Sequence, residues 1–219
     1  MVPKYIARGV YDLPTSGIRV IFEKARRMKD VVRLEIGEPD FDTPSHVKEA
    51  AKKALDEGFT HYTPFNGIEE LREAIAEKVK ADNGIEADYE SEVIVTPGAC
   101  SAFFCGILSV VNPGEKVLIP DPAWPHYEPC VKIAGGISEF YPLFEKNDFR
   151  PDQADLRERI DEKTKAIIIN SPSNPTGAVF TRKDVEGIAQ IAEENDLIVL
   201  SDEVYEKIIY DDAANVSIA

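Results

Sequence analysis

Apolar residues recur at Ile18, Ile21, Phe22, Ala25 and Met28 with charges between them, and this helical spacing predicts a helix over 14–30. The stretch VVRLEIG (31–37) is short and apolar, and GEPDFDTP breaks it. Thr43 reads as an N-cap with Pro44 at the first helical position, and Gly58 closes the helix that follows. IEELREAIAEKVKAD (68–82) predicts another amphipathic helix, stopped by Asn83-Gly84. The first 85 residues are therefore expected to be mostly helical.

The pattern then changes. VIVT (93–96) reads as a buried strand, and GACSAFFCGILSVV (98–111) as a buried helix ended by Asn112-Pro113-Gly114. Strands are predicted at 116–120, 137–143, 165–170 and 197–203, with helices at 123–133, 154–160 and from Thr181 to about 195. Strands alternate with helices, and most strands are continuous apolar runs rather than alternating ones. That combination predicts an α/β fold, a mostly parallel sheet with helices on both faces, preceded by a helical N-terminal segment.

Composition narrows the function classes. Lys plus Arg is 25 against 40 Asp plus Glu, a net charge of −15, which argues against binding a nucleic-acid backbone. A small anion is still allowed, because backbone N–H groups can hold one on an acidic protein. Cys100, Cys105 and Cys130 show neither disulfide-framework nor zinc spacing. A reducing, cytoplasmic compartment fits that usage. The opening MVPKYIARGVYDLP lacks the apolar core of a signal peptide, and no apolar run has the length of a membrane span.

In open parallel sheets, ligands bind beyond the carboxyl ends of the strands. Four such ends carry candidate chemistry: Gly98-Ala99-Cys100 after 93–96, Trp124 after 116–120, Asn174 after 165–170, and Asp202 with Tyr205 at the end of 197–203. A helix opened by Gly98-Ala99-Cys100 offers free N–H groups to a phosphate. Trp124 offers a flat face to an aromatic ring, and Asp202 can pair with a protonated ring nitrogen. Tyr205 and Asn174 can donate hydrogen bonds to a phenolate oxygen. Each residue alone also has a plain structural reading, as turn, core or cap. Together, in this order, they describe a site for pyridoxal 5′-phosphate.

The motifs Gly37-Glu38-Pro39-Asp40-Phe41-Asp42-Thr43-Pro44, His61-Tyr62-Thr63-Pro64, Thr96-Pro97-Gly98-Ala99, NSPSNPTGA (170–178) and SDEVYE (201–206) resemble the class I aminotransferases of fold type I, in their aspartate or aromatic amino-acid branch. The resemblance runs from about residue 14 to the end of the sequence. It implies that Asp202 pairs with the pyridinium nitrogen, that Tyr205 and Asn174 reach the phenolate oxygen, and that Trp124 stacks on the ring. Gly98, Ala99 and Cys100 would lie at the phosphate, with Cys100 replacing the Lys, Ser or Thr frequent there. Trp124 and Asn174 would also face substrate, Gly37 would lie near its carboxylate, and Tyr62 would reach the cofactor phosphate of the partner subunit in a homodimer.

The family's Schiff-base lysine lies in a Ser-x-Ser-Lys-like stretch, and none occurs here; Lys207 follows SDEVYE too closely. The expectation is therefore an N-terminal portion: residues 1–45 as arm and small-domain segment, residues 46–219 as a cofactor-binding large domain lacking the lysine strand. Alone it should not transaminate an amino acid with a 2-oxo acid. Strand 93–96 should also lack neighbours. The alternatives are one half of a split enzyme completed by a C-terminal chain, or another fold type I enzyme such as a C–S or β-lyase.

Overall fold

Within strands β1 (Lys116–Asp121) and β3 (Thr164–Asn170), successive side chains point to opposite faces of the sheet. Leu118, Ile167 and Ile169 enter one core, while Val117, Ile119, Ala166 and Ile168 enter another. Both faces of these strands are buried, which is why they read as unbroken apolar runs. The computed structural model describes residues 5–11, 13, 17–32, 37 and 41–219. With β2 (Ile137–Pro142) and β4 (Ile198–Asp202), the strands form an all-parallel sheet of order β2-β1-β3-β4.

Helices cover both faces, as predicted. Going along the chain, α1 is Arg8–Tyr11, α2 Gly17–Ala25, α3 Ser45–Asp56, α4 Glu69–Asn83, α5 Ala99–Val110, α6 Tyr127–Ile133, α7 Gln153–Arg159 and α8 Arg182–Glu194. Ile107 of α5 and Val131 of α6 pack on one face; Leu156 of α7 and Val185, Ile188 and Ile191 of α8 pack on the other. The α8 start is set by a capping box in which Thr181 and Asp184 satisfy each other's backbone N–H, an arrangement worth about 1 kcal/mol.

The strand order decides where a ligand can sit. The chain leaves β1 for β2 on one side, then returns past β1 to lay down β3 and β4 on the other. Connections therefore diverge between β1 and β3, opening a crevice at their carboxyl ends.

Three expectations are corrected. Residues 93–96, read as a buried strand that should lack neighbours, are not a strand and are in no ladder among the described residues; Val93 is buried but Ile94 is 67% exposed. An apolar extended run needs a neighbouring strand as well as side-chain burial, and none is present beside it. The start of α3 is capped by Pro44 rather than Thr43: Pro44 is extended (ψ 142) and its carbonyl accepts from Val47 and Lys48. The predicted helix over 14–30 is helical only over Gly17–Ala25 among its described residues. Residues 14–16, 33–36 and 38–40, including much of VVRLEIG and GEPD, lie outside the described residues.

The chain divides into two units, residues 1–13 with 69–219, which hold the sheet, and residues 14–68. In the second unit no described residue is buried, and the apolar side chains of α3, Val47 and Leu55, are exposed. Gly58 takes φ +85 just after α3, and the Phe59 N–H reaches back to Ala54, so the predicted glycine stop is in place.

Candidate active site

β3 ends in Asn170, the polar close of an otherwise apolar strand. Its side chain is only 3% exposed and organises the turn that follows. Asn170 Oδ1 accepts from the Asn174 N–H (2.7 Å), while Nδ2 donates to the carbonyls of Pro172 (3.2 Å) and Asp202 (2.9 Å). One amide thus ties the 171–177 loop to the end of β4. The loop closes on itself through Ser173 N–H to Ala178 O (2.9 Å) and Gly177 N–H to Ser173 O (2.8 Å), with Gly177 at φ +72. Held this way, Asn174 donates through Nδ2 to the Tyr205 hydroxyl at 3.4 Å. The Tyr205 proton is then free to be donated elsewhere.

The acid at the end of β4 is held from two sides. Asp202 Oδ2 accepts from the Tyr127 hydroxyl (2.7 Å) and Oδ1 from the Val204 N–H (3.3 Å). Tyr127 opens α6 and is completely buried. Burial, and then the facing Asp202 carboxylate, push its phenol well above the usual tyrosine range, so it stays protonated and donates to that carboxylate. The Trp124 ring packs edge-on against Tyr127 (centroids 5.4 Å apart) and is tilted against His126 (4.6 Å).

At the start of α5, Gly98 adopts φ +84 and makes no side-chain cap. A Cβ built on Gly98 would meet nothing within 4 Å, so the approach is open. The Ala99 and Cys100 N–H groups, in the first turn, have no intrahelical acceptor. These groups converge. Gly98, Ala99, Cys100, Trp124, Asn174, Asp202 and Tyr205 all line one cavity of about 250 Å³ at the carboxyl ends of β1, β3 and β4. It combines a helix start with open N–H groups, an indole ring, a carboxylate and a hydroxyl–amide pair. Gly37 and Tyr62 belong to the 14–68 unit, where both are exposed.

Four lining residues have no role assigned from the sequence, Pro97, Tyr127, Asn170 and Val204, and two of them, Asn170 and Tyr127, carry side-chain hydrogen bonds that shape the site. Asn170 had a signal in the sequence, a lone amide closing an apolar strand. Tyr127 had none beyond its place three residues after Trp124, because its partner is 75 residues away.

The segment bearing Tyr205 is anchored on α4. Glu206 pairs with Lys78 and accepts from Asn83 Nδ2 (2.8 Å), and Lys207 pairs with Asp82 (2.9 Å). The Asn83 hydrogen bond and then the Lys78 ammonium hold the Glu206 carboxyl below the usual glutamate range. A depressed folded-state pKa stabilises above the unfolded value, about 4.3, and that stabilisation is lost as pH falls through the folded value. Wild type is therefore expected to exceed Glu206→Gln in stability at neutral pH, with the gap closing on acidification below that range. Urea midpoints across pH check this; a gap that widens toward acid would refute the anchor.

The family description "Aminotransferase class I and II" matches residues 29–219. The chain is 56% identical over 204 residues to an aspartate aminotransferase of Pyrococcus abyssi, covering 93% of this chain and 52% of that protein. Against an aromatic-amino-acid aminotransferase 2 of Thermococcus litoralis the identity is 50%, with the same two coverages. Among solved structures, Pyrococcus protein-A1 superposes with TM-score 0.94 at 54% identity, over 96% of this chain and 54% of that one. Thermus thermophilus aspartate aminotransferase with maleate superposes with TM-score 0.93 at 39% identity, over 99% and 57%. The chain spans about half the length of the curated relatives it matches. The parallel sheet, the crevice where its connections diverge and the family match across most of the sequence lead to one assignment: this chain belongs to the class I and II aminotransferases.

Proposed function

We propose that this chain forms the cofactor-holding part of a pyridoxal-phosphate-dependent aminotransferase, which exchanges an amino group between an amino acid and a 2-oxo acid. The observation that carries the reading is the convergence of an open helix start, an indole, an amide–hydroxyl pair and a carboxylate on one cavity. Each fits a different part of pyridoxal phosphate. The N–H groups after Gly98 would hold the phosphate dianion. Trp124 would cover one face of the ring. Asp202, already fixed by two donors, would hold the proton at the ring nitrogen. Tyr205, accepting from Asn174, keeps its own proton to give to the phenolate oxygen. When bound, the cofactor supplies an electron sink for the pair left at the amino-acid Cα. In this reading Trp124, Asn174 and Gly37 face substrate, and Tyr62, 108% exposed, reaches a phosphate in a second subunit of a homodimer. Residues 1–45 supply the arm and small-domain segment, residues 46–219 the large domain, and the setting is cytoplasmic. No helix among the described residues is long and apolar enough to cross a membrane.

The residues lining the cavity include no lysine. The amine that moves the proton between Cα and cofactor would then come from a further stretch of polypeptide, in the same or a complementing chain. Two observations favour such a partner segment: the unladdered apolar run 93–96, and β4, an apolar strand only half-buried at the sheet edge. The expected result is that the 219-residue chain binds pyridoxamine phosphate saturably yet turns over no amino acid with a 2-oxo acid. Supplying the second half of the Pyrococcus abyssi relative should restore turnover. Turnover by the chain alone would overturn the need for that half, and absence of binding would overturn the cofactor site.

A further inference from the structure

We infer that Tyr127 is a positioning residue for Asp202, fixing through its hydroxyl the carboxylate that receives the ring nitrogen of the cofactor; this rests on the reading above. The geometry is specific. The Tyr127 hydroxyl donates to Asp202 Oδ2 at 2.7 Å from α6, while the other oxygen is held by Val204 N–H from the chain just after β4. Each oxygen of the carboxylate thus has its own donor, one from α6 and one from the turn after β4. A buried phenol held in its protonated form is suited to this task, because it donates to the carboxylate and leaves the negative charge on the acid. Packing alone does not require the hydroxyl. The ring contacts, Phe103 at 4.8 Å and Trp124 at 5.4 Å between centroids, would be kept by phenylalanine. The hydroxyl is a buried polar group, and its hydrogen-bond partner is the pocket acid.

The consequence is preorganisation. An acid already held in place loses little further freedom when a cationic nitrogen arrives, so part of the binding strength resides in a residue that need not touch the ligand. Tyr127 also links the acid to the indole ring through its T-shaped contact with Trp124. One side chain thereby sets the relative placement of the two groups that would grip opposite features of a pyridine ring.

Trp124 is the only tryptophan, so its emission reports occupancy of this cavity without any turnover. The test titrates the chain with pyridoxamine phosphate in four forms: wild type, Tyr127→Phe, Asp202→Ala and the double variant. Tyr127→Phe is expected to bind about tenfold more weakly, the loss of one hydrogen bond to a charged group, with emission maximum and limiting quench as in wild type. In the Asp202→Ala background the same change should alter affinity less than about twofold, because the hydroxyl acts through the acid. Unchanged affinity in Tyr127→Phe, or an equal loss with and without Asp202, would overturn the role of Tyr127 while leaving the cofactor site standing. A wild-type chain that shows no saturable quench would overturn the cofactor reading and this inference with it.

Discussion

Asp202→Ala is expected to weaken pyridoxamine phosphate binding by about ten- to a hundredfold, read from Trp124 quenching. The removed interaction is a hydrogen bond between charged partners, worth about 1.5–3 kcal/mol, and each 1.4 kcal/mol is about tenfold in affinity. The same change also strands the Tyr127 hydroxyl, which is buried and donates to this carboxylate. An unsatisfied buried donor costs about 1–3 kcal/mol, so a lower unfolding midpoint should accompany the weaker binding. Asp202→Asn separates the two effects. The amide oxygen can still accept from the buried Tyr127 hydroxyl, so only the longer, exposed bond from the Val204 N–H is lost and most of the stability is kept, but the negative charge facing the ring nitrogen is gone. The expected outcome is near-wild-type unfolding together with binding almost as weak as in Asp202→Ala. Wild-type affinity in Asp202→Asn would mean that charge pairing is not what this acid contributes.

The second large effect is expected at Asn170, which sequence reasoning passed over. Asn170→Ala removes three hydrogen bonds at once, from the Asn174 N–H and to the Pro172 and Asp202 carbonyls. The position is buried, so water replaces them poorly, and a loss of about 2–4 kcal/mol follows from the stranded groups. Urea unfolding should show a lower midpoint with an unchanged slope. Binding should fall as well, because the tether that presents Asn174 to Tyr205 is cut. Asn170→Asp should be no better than alanine: it keeps the acceptor for Asn174 but turns a second oxygen toward two carbonyls. A midpoint for Asn170→Ala equal to that of wild type would show that the loop holds itself.

Much of this architecture was legible from local pattern. The unbroken apolar runs of β1 and β3 implied burial on both faces, and Leu118 and Ile119 indeed enter different cores. The Thr181 start and the Gly58 stop followed from cap chemistry, which acts over three or four residues. The cap at Thr43 did not follow, because an extended Pro44 can occupy the cap position itself. Gly98, Ala99, Cys100, Trp124, Asn174, Asp202 and Tyr205 could be singled out together because each sits at or just beyond a strand end or at a helix start, and those ends follow from periodicity; that they line one cavity is a tertiary fact.

Strand order, partners and exposure were another matter. Residues 93–96 and 197–203 both read as apolar strands, yet the first pairs with nothing among the described residues and the second yields β4, half-buried at an edge. Neither did any spacing tie Tyr127 to Asp202, or Asn170 to the backbone of β4. The amino-acid sequence by itself determined the elements, their faces and the chemical inventory, since these depend on interactions a few residues long. Only the tertiary structure decided which elements pair, where their connections diverge and which side chains close upon Asp202, because those depend on contacts between residues far apart in the chain.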